Sequence, residues 1–511
     1  MLQKLRLTIG LSSLITASSA VFAGNIEQPL SLPTTDAAFK LSFETVTLPD
    51  NEKMGFLGGQ FLYELTPWLS VGPAAYGALT GERGGFITLG AAVDSELSLT
   101  DKLSFNMGYF VGAGGGRGGY TLSGGGLMLR AHAGANYHLD GWGKLGVGIS
   151  NVNFPNGHID STQPYLTYSY PFTTLHSSGW RGDSFSGYTG KSAKASIQEF
   201  SVVMRRYKIP SGVTTDSGLP QHPTVDLIGA EWSNYLNDNY FVKVESEGAM
   251  GGRSQGYMQI FLGGGYRYSL TPGTALKLSA SAGVAGGGAM DTGGGLLLDS
   301  QISLQQRLGG QLFAEVGAGY VQAPQASFEA TSLVAKLGYQ FGTPRVSGSK
   351  VPMGSLTGYH NNHFRFRLAH QQYMKADPAW RAHHADLNID NLGVQIDYFP
   401  YDNLYLSGQG IAAYDGEAGA YMAGLVGAGL HAELIGSLYA EAEVLVGAAG
   451  GGGVDVGGGF VWQTNANLGY ELNDHLSLTV GAGRMEAPNG NFKANVMALG
   501  LSYKFDLFMK D

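Results

Sequence analysis

The sequence predicts an all-β fold: an antiparallel transmembrane β-barrel of about 24 strands in three eight-strand repeats. Three observations predict it. A glycine hairpin occurs three times at nearly constant spacing, segments alternate apolar and polar residues with period two, and connections are short on one rim and long on the other. The same strands could instead close as three separate eight-stranded barrels.

The repeat is read first. GAGGGRGGYTLSGGG (Gly112 to Gly126) returns as GVAGGGAMDTGGG (Gly283 to Gly295) and as GAAGGGGVDVGGG (Gly447 to Gly459). The final glycines lie 169 and 164 residues apart, and Pro155, Pro324 and Pro488 keep those offsets, as do Phe172, Phe341 and Phe505. Landmarks that stay in step without an insertion mark one unit written three times.

Composition sets the compartment. Lys4 and Arg6, the apolar run Leu7 to Ala17 and Val21-Phe22-Ala23 read as a secretory signal over residues 1–23. With no cysteine in 511 residues, lipid anchoring through cysteine, disulfides and thiol chemistry are excluded. Removing the signal moves the formal net charge from −9 to −11, which argues against nucleic acid as a partner. Charged residues make up only 14% and glycine numbers 80, outside the usual soluble range. No later stretch has 18 consecutive apolar residues, so a membrane would be crossed by strands.

Period two is clearest where Leu127, Leu129, Ala131, Ala133, Ala135 and Tyr137 fall on one face and Met128, Arg130, His132, Gly134, Asn136 and His138 on the other. Leu145, Val147 and Ile149 against Gly146, Gly148 and Ser150 repeat it. Turn signals divide the first unit into eight strands beginning near Phe39, Met54, Leu69, Gly85, Leu103, Gly126, Lys144 and Pro164. Tight turns such as Thr66-Pro67-Trp68 alternate with long or glycine-rich loops, and Trp68, Trp142, Tyr235, Tyr240, Tyr398, Phe399 and Tyr401 form an aromatic girdle on the tight rim. The expected division is signal 1–23, lead 24–38, repeats at 39–172, 197–341 and 362–505, Gly/Ser-rich connections 173–196 and 342–361, and a tail 506–511.

The turns YELTPWLSVG and YELNDHLSLTVG, the strand ends VGAGY and VGAGR, and closing strands ending at Phe172, Phe341 and Phe505 resemble the eight-stranded outer-membrane barrels of Gram-negative bacteria. That resemblance spans Phe39 to Phe505. It implies the cell outer membrane as location, and the lipid bilayer, lipopolysaccharide and the barrel-assembly machinery as partners.

Closure decides function. Eight strands enclose an interior just filled by side chains, whereas more than about 16 enclose water. Inward candidates of both signs occur in every unit: Lys40, Glu44 and Arg130; Glu231, Lys243, Glu245 and Arg267; Arg365, Arg367, Asp397, Glu441 and Glu443. Inward glycines at Gly146, Gly148, Gly317, Gly319, Gly481 and Gly483 leave little bulk, which favours one wide barrel. Gly114, Gly125, Gly287, Gly294, Gly451 and Gly458 are outer-loop candidates, at a loop tip or where backbones or a ligand come close. The primary expectation is a porin-like or export channel with a water-filled lumen. The alternative is a structural or adhesive surface protein of three small barrels, and the third reading a lipid-modifying enzyme.

Other chemistry is weak. Gly187 to Ser192 ends like a phosphate loop but has Phe185 where the first glycine belongs. His383, His384, Asp386 and Asp390 could hold a divalent metal, yet the other units lack the cluster. His158, Asp160 and Ser161 invite a hydrolase reading that only geometry could support. No cofactor, metal or catalytic residue is assigned, and the oligomeric state is left open.

Overall fold

A computed structural model describes residues 31–175, 192–346 and 350–510. The signal sequence and residues 187–191 of the phosphate-loop-like run lie outside them. The chain is antiparallel β throughout and builds three closed barrels. The first contains β1 (Ser31–Thr47), β2 (Lys53–Thr66), β3 (Leu69–Thr80), β4 (Ile87–Ser98), β5 (Leu103–Gly115), β6 (Leu127–Leu139), β7 (Gly143–Asn153) and β8 (Asp160–Leu175). The second contains β9 (Ala195–Lys208), β10 (Thr224–Tyr235), β11 (Tyr240–Gly251), β12 (Met258–Thr271), β13 (Thr274–Gly286), β14 (Leu296–Gly309), β15 (Leu312–Gln322) and β16 (Glu329–Pro344). After the short β17 (Lys350–Pro352), the third contains β18 (His360–Lys375), β19 (Ile389–Tyr401), β20 (Leu404–Asp415), β21 (Met422–Glu433), β22 (Leu438–Gly450), β23 (Phe460–Glu471), β24 (Leu476–Glu486) and β25 (Lys493–Met509).

The expected single closure of 24 strands is therefore corrected. In each unit the last strand returns to the first: β8 pairs β1 from Thr34 to Glu44, β16 pairs β9 from Ala195 to Lys208, and β25 pairs β18 from His360 to Lys375. Such seams satisfy the edges within each unit, so only strand extensions beyond the seams, at Ser31–Pro33 and at Gly342 and Lys510, pair outside it among the described residues. The inward glycines misled the expectation because polar side chains of adjoining strands occupy the space they leave: a Cβ would meet Asn136 and Thr167 at Gly146, Tyr165 at Gly148, Ser332 at Gly319 and Asn467 at Gly481. In the first unit β1 reaches back to Ser31, earlier than expected, because its extension pairs β17 at Ser31–Pro33 as well as β8.

Each barrel is polar inside and oily outside. Val147, Ile149, Val316, Leu337 and Leu430 are 59–62% exposed, while inward Arg130, Lys243 and Arg365 are 0–1% exposed. This inversion is stable only against hydrocarbon, because water would reward neither face. On β14 the outward apolar residues run from Leu298 to Leu308; at ~3.4 Å per residue and a tilt of about 40° this spans roughly 26 Å, the height of a bilayer belt. The belt ends at the tight turns, where Leu65, Leu99, Leu236, Leu270, Leu308, Leu434 and Leu472 are all at least half exposed.

The three barrels meet at their long-loop ends. Ile87 and Ala113 of the first, Val284 of the second, and Ala412 and Met422 of the third form one apolar cluster. At the tight-turn end a second hub joins Leu32, Leu175, Val351, Leu356, Tyr359 and Phe508, and the backbones of Gly342 and Lys510 exchange two hydrogen bonds of 2.8 Å. An eight-stranded barrel tilted by about 40° carries a strand roughly halfway round while crossing the bilayer, so seams remote from the upper contact converge below it.

The upper contact is made by glycine. The hairpin of barrel 2 lies on the β3–β4 loop of barrel 1, where Gly84 N–H donates to Gly293 O at 2.8 Å. The hairpin of barrel 1 lies on the β20–β21 loop of barrel 3, where Gly419 N–H donates to Gly124 O at 2.9 Å. The hairpin of barrel 3 completes the ring on the β11–β12 loop of barrel 2: a Cβ on Gly450 would lie 2.1 Å from Gly256 N. Gly450 has an ordinary φ, so Gly450→Ala tests contact without backbone strain. We expect G450A to loosen the barrel 2–barrel 3 junction by about 1–3 kcal/mol. Limited proteolysis should then cut the β11–β12 loop faster, with heat-modifiable gel migration of the barrels unchanged.

Candidate functional site

Two features carry the chemistry: the charged interiors and the glycine clasp. Alternation aims every second strand residue inward, and eight strands bring those residues within reach of one another.

Barrel 1 brings Glu44 and Arg130 together, with Arg130 Nε donating to Glu44 Oε1 at 2.6 Å and Gln163 Nε2 donating to Glu44 Oε2 at 2.9 Å. Ser150 donates to the same carboxylate. The Arg130 guanidinium lies 5.4 Å from the Tyr76 and Tyr165 ring centres. Lys40 pairs with Asp94, and His132 stands between them and Arg130, its Nδ1 3.0 Å from Arg130 Nη1.

Barrel 2 holds a continuous ladder of alternating charge. Lys277 bridges Glu199 (3.0 Å) and Glu315 (3.1 Å), and Lys336 bridges Glu315 (3.1 Å) and Glu231 (2.8 Å). Lys243 bridges Glu231 (3.0 Å) and Glu245 (2.8 Å), and Arg205 joins Glu245, Glu247 (2.9 Å) and Asp299 (3.1 Å). Arg267 stands apart from the ladder, half-buried, with its guanidinium 5.6 Å from the Tyr235 ring centre.

Barrel 3 packs two arginines among three carboxylates. Arg365 donates to Asp397 at 2.7 Å and Glu441 at 2.6 Å, and Arg367 reaches the same pair at 3.3 and 3.1 Å. Glu443 accepts from Asn465 at 2.7 Å and from Gln395 and Tyr405 at 3.1 Å.

Above each polar layer sits an apolar cap at the long-loop end. Phe56, Phe86 and Phe154 contribute to the first, Tyr207, Tyr257 and Phe328 to the second, and Trp380, Tyr421 and Phe492 to the third. Trp380 stacks on Phe492 with centroids 6.0 Å apart and planes 8° apart. Charge is thus neutralised within the barrel wall and water is shut out above it.

The six outer-loop glycines fall into two groups. Gly125, Gly294 and Gly458 face the neighbouring barrel: a Cβ on them would lie 2.6 Å from Asp415 Cα, 2.5 Å from Gly81 N and 3.4 Å from Met250 O. Gly114, Gly287 and Gly451 face their own barrel, against Ile87 O, Gly256 O and Ala420 O, with φ of +145°, +91° and +88°. Barrel 3 braces its receiving loop with buried Arg381, which donates to Gly416 O at 2.9 Å, Glu417 O at 2.8 Å and His384 O at 3.2 Å. Burial pulls the Arg381 pKa down, partly offset by Glu417 and Asp386.

The alternative chemical sites are not assembled. His158 faces Thr121 O at 3.0 Å, Asp160 accepts from Asn151 at 3.0 Å, and Ser161 donates to Gln163 at 2.7 Å, so the three have separate partners. His383 and His384 pack on Tyr120 of barrel 1, and Asp390 accepts from Gln372. Among the described residues no group of His, Asp and Glu is placed to hold a metal.

Sequence reasoning missed Asp94, Arg205, Glu247, Lys277, Asp299, Glu315 and Lys336. Each has inward parity in its strand, and Lys277 and Asp299 lie between outward apolar residues, Leu276 and Leu278 for the one and Leu298 and Ile302 beside the other, so the signal was present in the alternation.

No family model matches the chain, and no curated protein matches it. Among solved structures the chain is similar to a de novo designed transmembrane β-barrel at 11% identity and TM-score 0.20, over 30% of this chain and 98% of that one. It is also similar to Pseudomonas aeruginosa OpdQ at 11% identity and TM-score 0.20, over 94% and 98% of the two chains. A third is the ferric enterobactin receptor of the same organism, a mutant solved with enterobactin, at 11% identity and TM-score 0.28, over 94% and 82%. At such scores the likeness carries no argument; the transmembrane-barrel class rests on the closed pairings and the inverted polarity described above.

Truncating one rung should expose the cost of an unpaired interior charge. Glu231→Ala takes one of two carboxylate partners from both Lys243 and Lys336 and leaves the buried ladder one negative charge short, and we expect a loss of about 3–5 kcal/mol. The measurement is the denaturant midpoint of the heat-modifiable form, with Arg206→Ala, at an exposed pair, shifting it by under about 1 kcal/mol.

Proposed function

We propose that this chain is an outer-membrane protein of a Gram-negative bacterium whose barrels are closed anchors. They hold a rigid, clasped platform at the cell surface, the structural or adhesive role among the readings of the sequence. The single observation that carries the proposal is the filled interior: a paired charge layer under an aromatic cap in every barrel. A wide solute lumen has no place in such a cross-section. The secretory signal and the aromatic-ended closing strands support export and delivery through the barrel-assembly machinery, with the lipid bilayer and lipopolysaccharide as surroundings. The clasp supports a platform role because its ring of three contacts leaves no hairpin free to move alone.

A second reading, passage of water or small ions as an outer-membrane channel, draws on interior polar atoms that lack partners. Both polar atoms of Gln301, Gln305 Nε2, Gln463 Oε1 and Asn467 Nδ2 are of this kind. Such groups mark places where the packing is incomplete.

Planar-bilayer recording of purified protein separates the two. We expect no unitary conductance steps from the wild-type chain under a voltage ramp; reproducible steps would sink the closed-anchor reading and favour the channel.

A further inference from the structure

We propose that barrel 2 carries a dedicated site for one anionic, phosphate-bearing glycolipid with several acyl chains, of the lipopolysaccharide class. The inference rests on the reading that the apolar belt faces lipid. Its basis is a broad, shallow groove of about 820 Å³ on the outer surface of β11–β15. The floor is Gly264, Ala280, Ser300 and Ala318, where Gly264 pairs with Ala280 and Ala280 with Ser300 across strands. Tyr240 and Tyr266, their rings 5.1 Å apart, wall one end and Tyr320 the other.

Tyr320 also lines a second recess of about 240 Å³ at the long-loop rim, shared with Lys208 and Thr331. Lys208 is exposed and makes no ion pair among the described residues, whereas neighbouring Arg206 is occupied by Asp226 at 2.6 Å. Glu329, the nearby carboxylate, accepts from the Tyr320 hydroxyl. An acyl-sized trough thus runs along the hydrocarbon belt and ends, on the outer-leaflet side, at an unengaged cation. A lipid with chains below and phosphate above fits that order of chemistries.

The two halves coincide in barrel 2; barrel 1 keeps a rim lysine, Lys53 donating to Thr47 Oγ1 at 2.6 Å, but not the trough. At the positions of Gly264, Ala280 and Ala318, barrel 1 has Val93, Tyr109 and Ile149, exposed by 43%, 43% and 62%, which fill the trough. Barrel 3 has Ala428, Val444 and Ala482 there, and Met374, paired with Asn495, where barrel 2 pairs Lys208 with Thr331. Among the described residues an open trough and an outward rim lysine thus coincide in barrel 2, which ordinary lipid solvation of three similar barrels does not require.

The test is native mass spectrometry of the full chain in mild detergent, offered lipopolysaccharide or phosphatidylglycerol. The wild type should retain one lipopolysaccharide. Filling the trough with A280L/A318L should lower its occupancy about tenfold, a loss of 1.4 kcal/mol. K208E should lower it several-fold, and Lys208→Arg should restore it. Equal retention by the filled variant, retention of phosphatidylglycerol as readily as lipopolysaccharide, or no retained lipid would each overturn the site. Heat-modifiable migration is read on every variant: its loss in the wild type would sink the membrane reading itself, whereas its presence without bound lipid sinks only the site.

Discussion

Return of the eighth strand to the first is the constraint on which this molecule depends. In hydrocarbon an unpaired strand edge has no water to satisfy it, so each unit must complete its own ring of hydrogen bonds. The seams β1–β8, β9–β16 and β18–β25 do so. Eight strands then fix a narrow bore, and the narrow bore dictates what may point inward. Charges in it must be neutralised by neighbours, because solvent is shut out. The ladder of barrel 2 and the arginine pair of barrel 3 are two solutions to that one demand.

The same closure explains the glycines. Barrels with completed edges can associate only through side surfaces and loops, and the side surfaces are built for lipid. Close approach of backbone to backbone at the loop ends supplies what side chains do not, and only glycine permits it at Gly125, Gly294 and Gly450. Because each hairpin rests on the next barrel, the three contacts form a ring, and the apolar cluster around Ile87, Val284 and Ala412 fills its centre. The seam strands meet again below, so the barrels are held at both ends while their oily flanks stay exposed between.

Much of this was legible in the chain. Alternation at Leu127–His138 and Leu145–Ser150 placed strands that begin within a residue of the expected positions, and tight turns assigned the rim where the belt ends. Lys40, Glu44, Arg130, Glu231, Lys243, Glu245, Arg365, Arg367, Asp397, Glu441 and Glu443 have inward parity and are buried, whereas Arg267, of the same parity, is half-buried. The leucines at the tight turns were overlooked, though they mark the hydrocarbon boundary as plainly as Trp68 and Trp142 do.

Periodicity and repetition by themselves determined an all-β chain of three eight-strand units with one oily and one polar face, because strand geometry alone converts period two into two faces. Which strand closes on which, and therefore whether the interior holds water or paired charge, was decided only by tertiary structure. Hydrogen-bond closure joins residues over a hundred positions apart, as Ala37 meets Phe172, and no local pattern records that choice. The role of the glycine hairpins was hidden for the same reason: their contacts lie on other units, reached through the ring and not through the sequence.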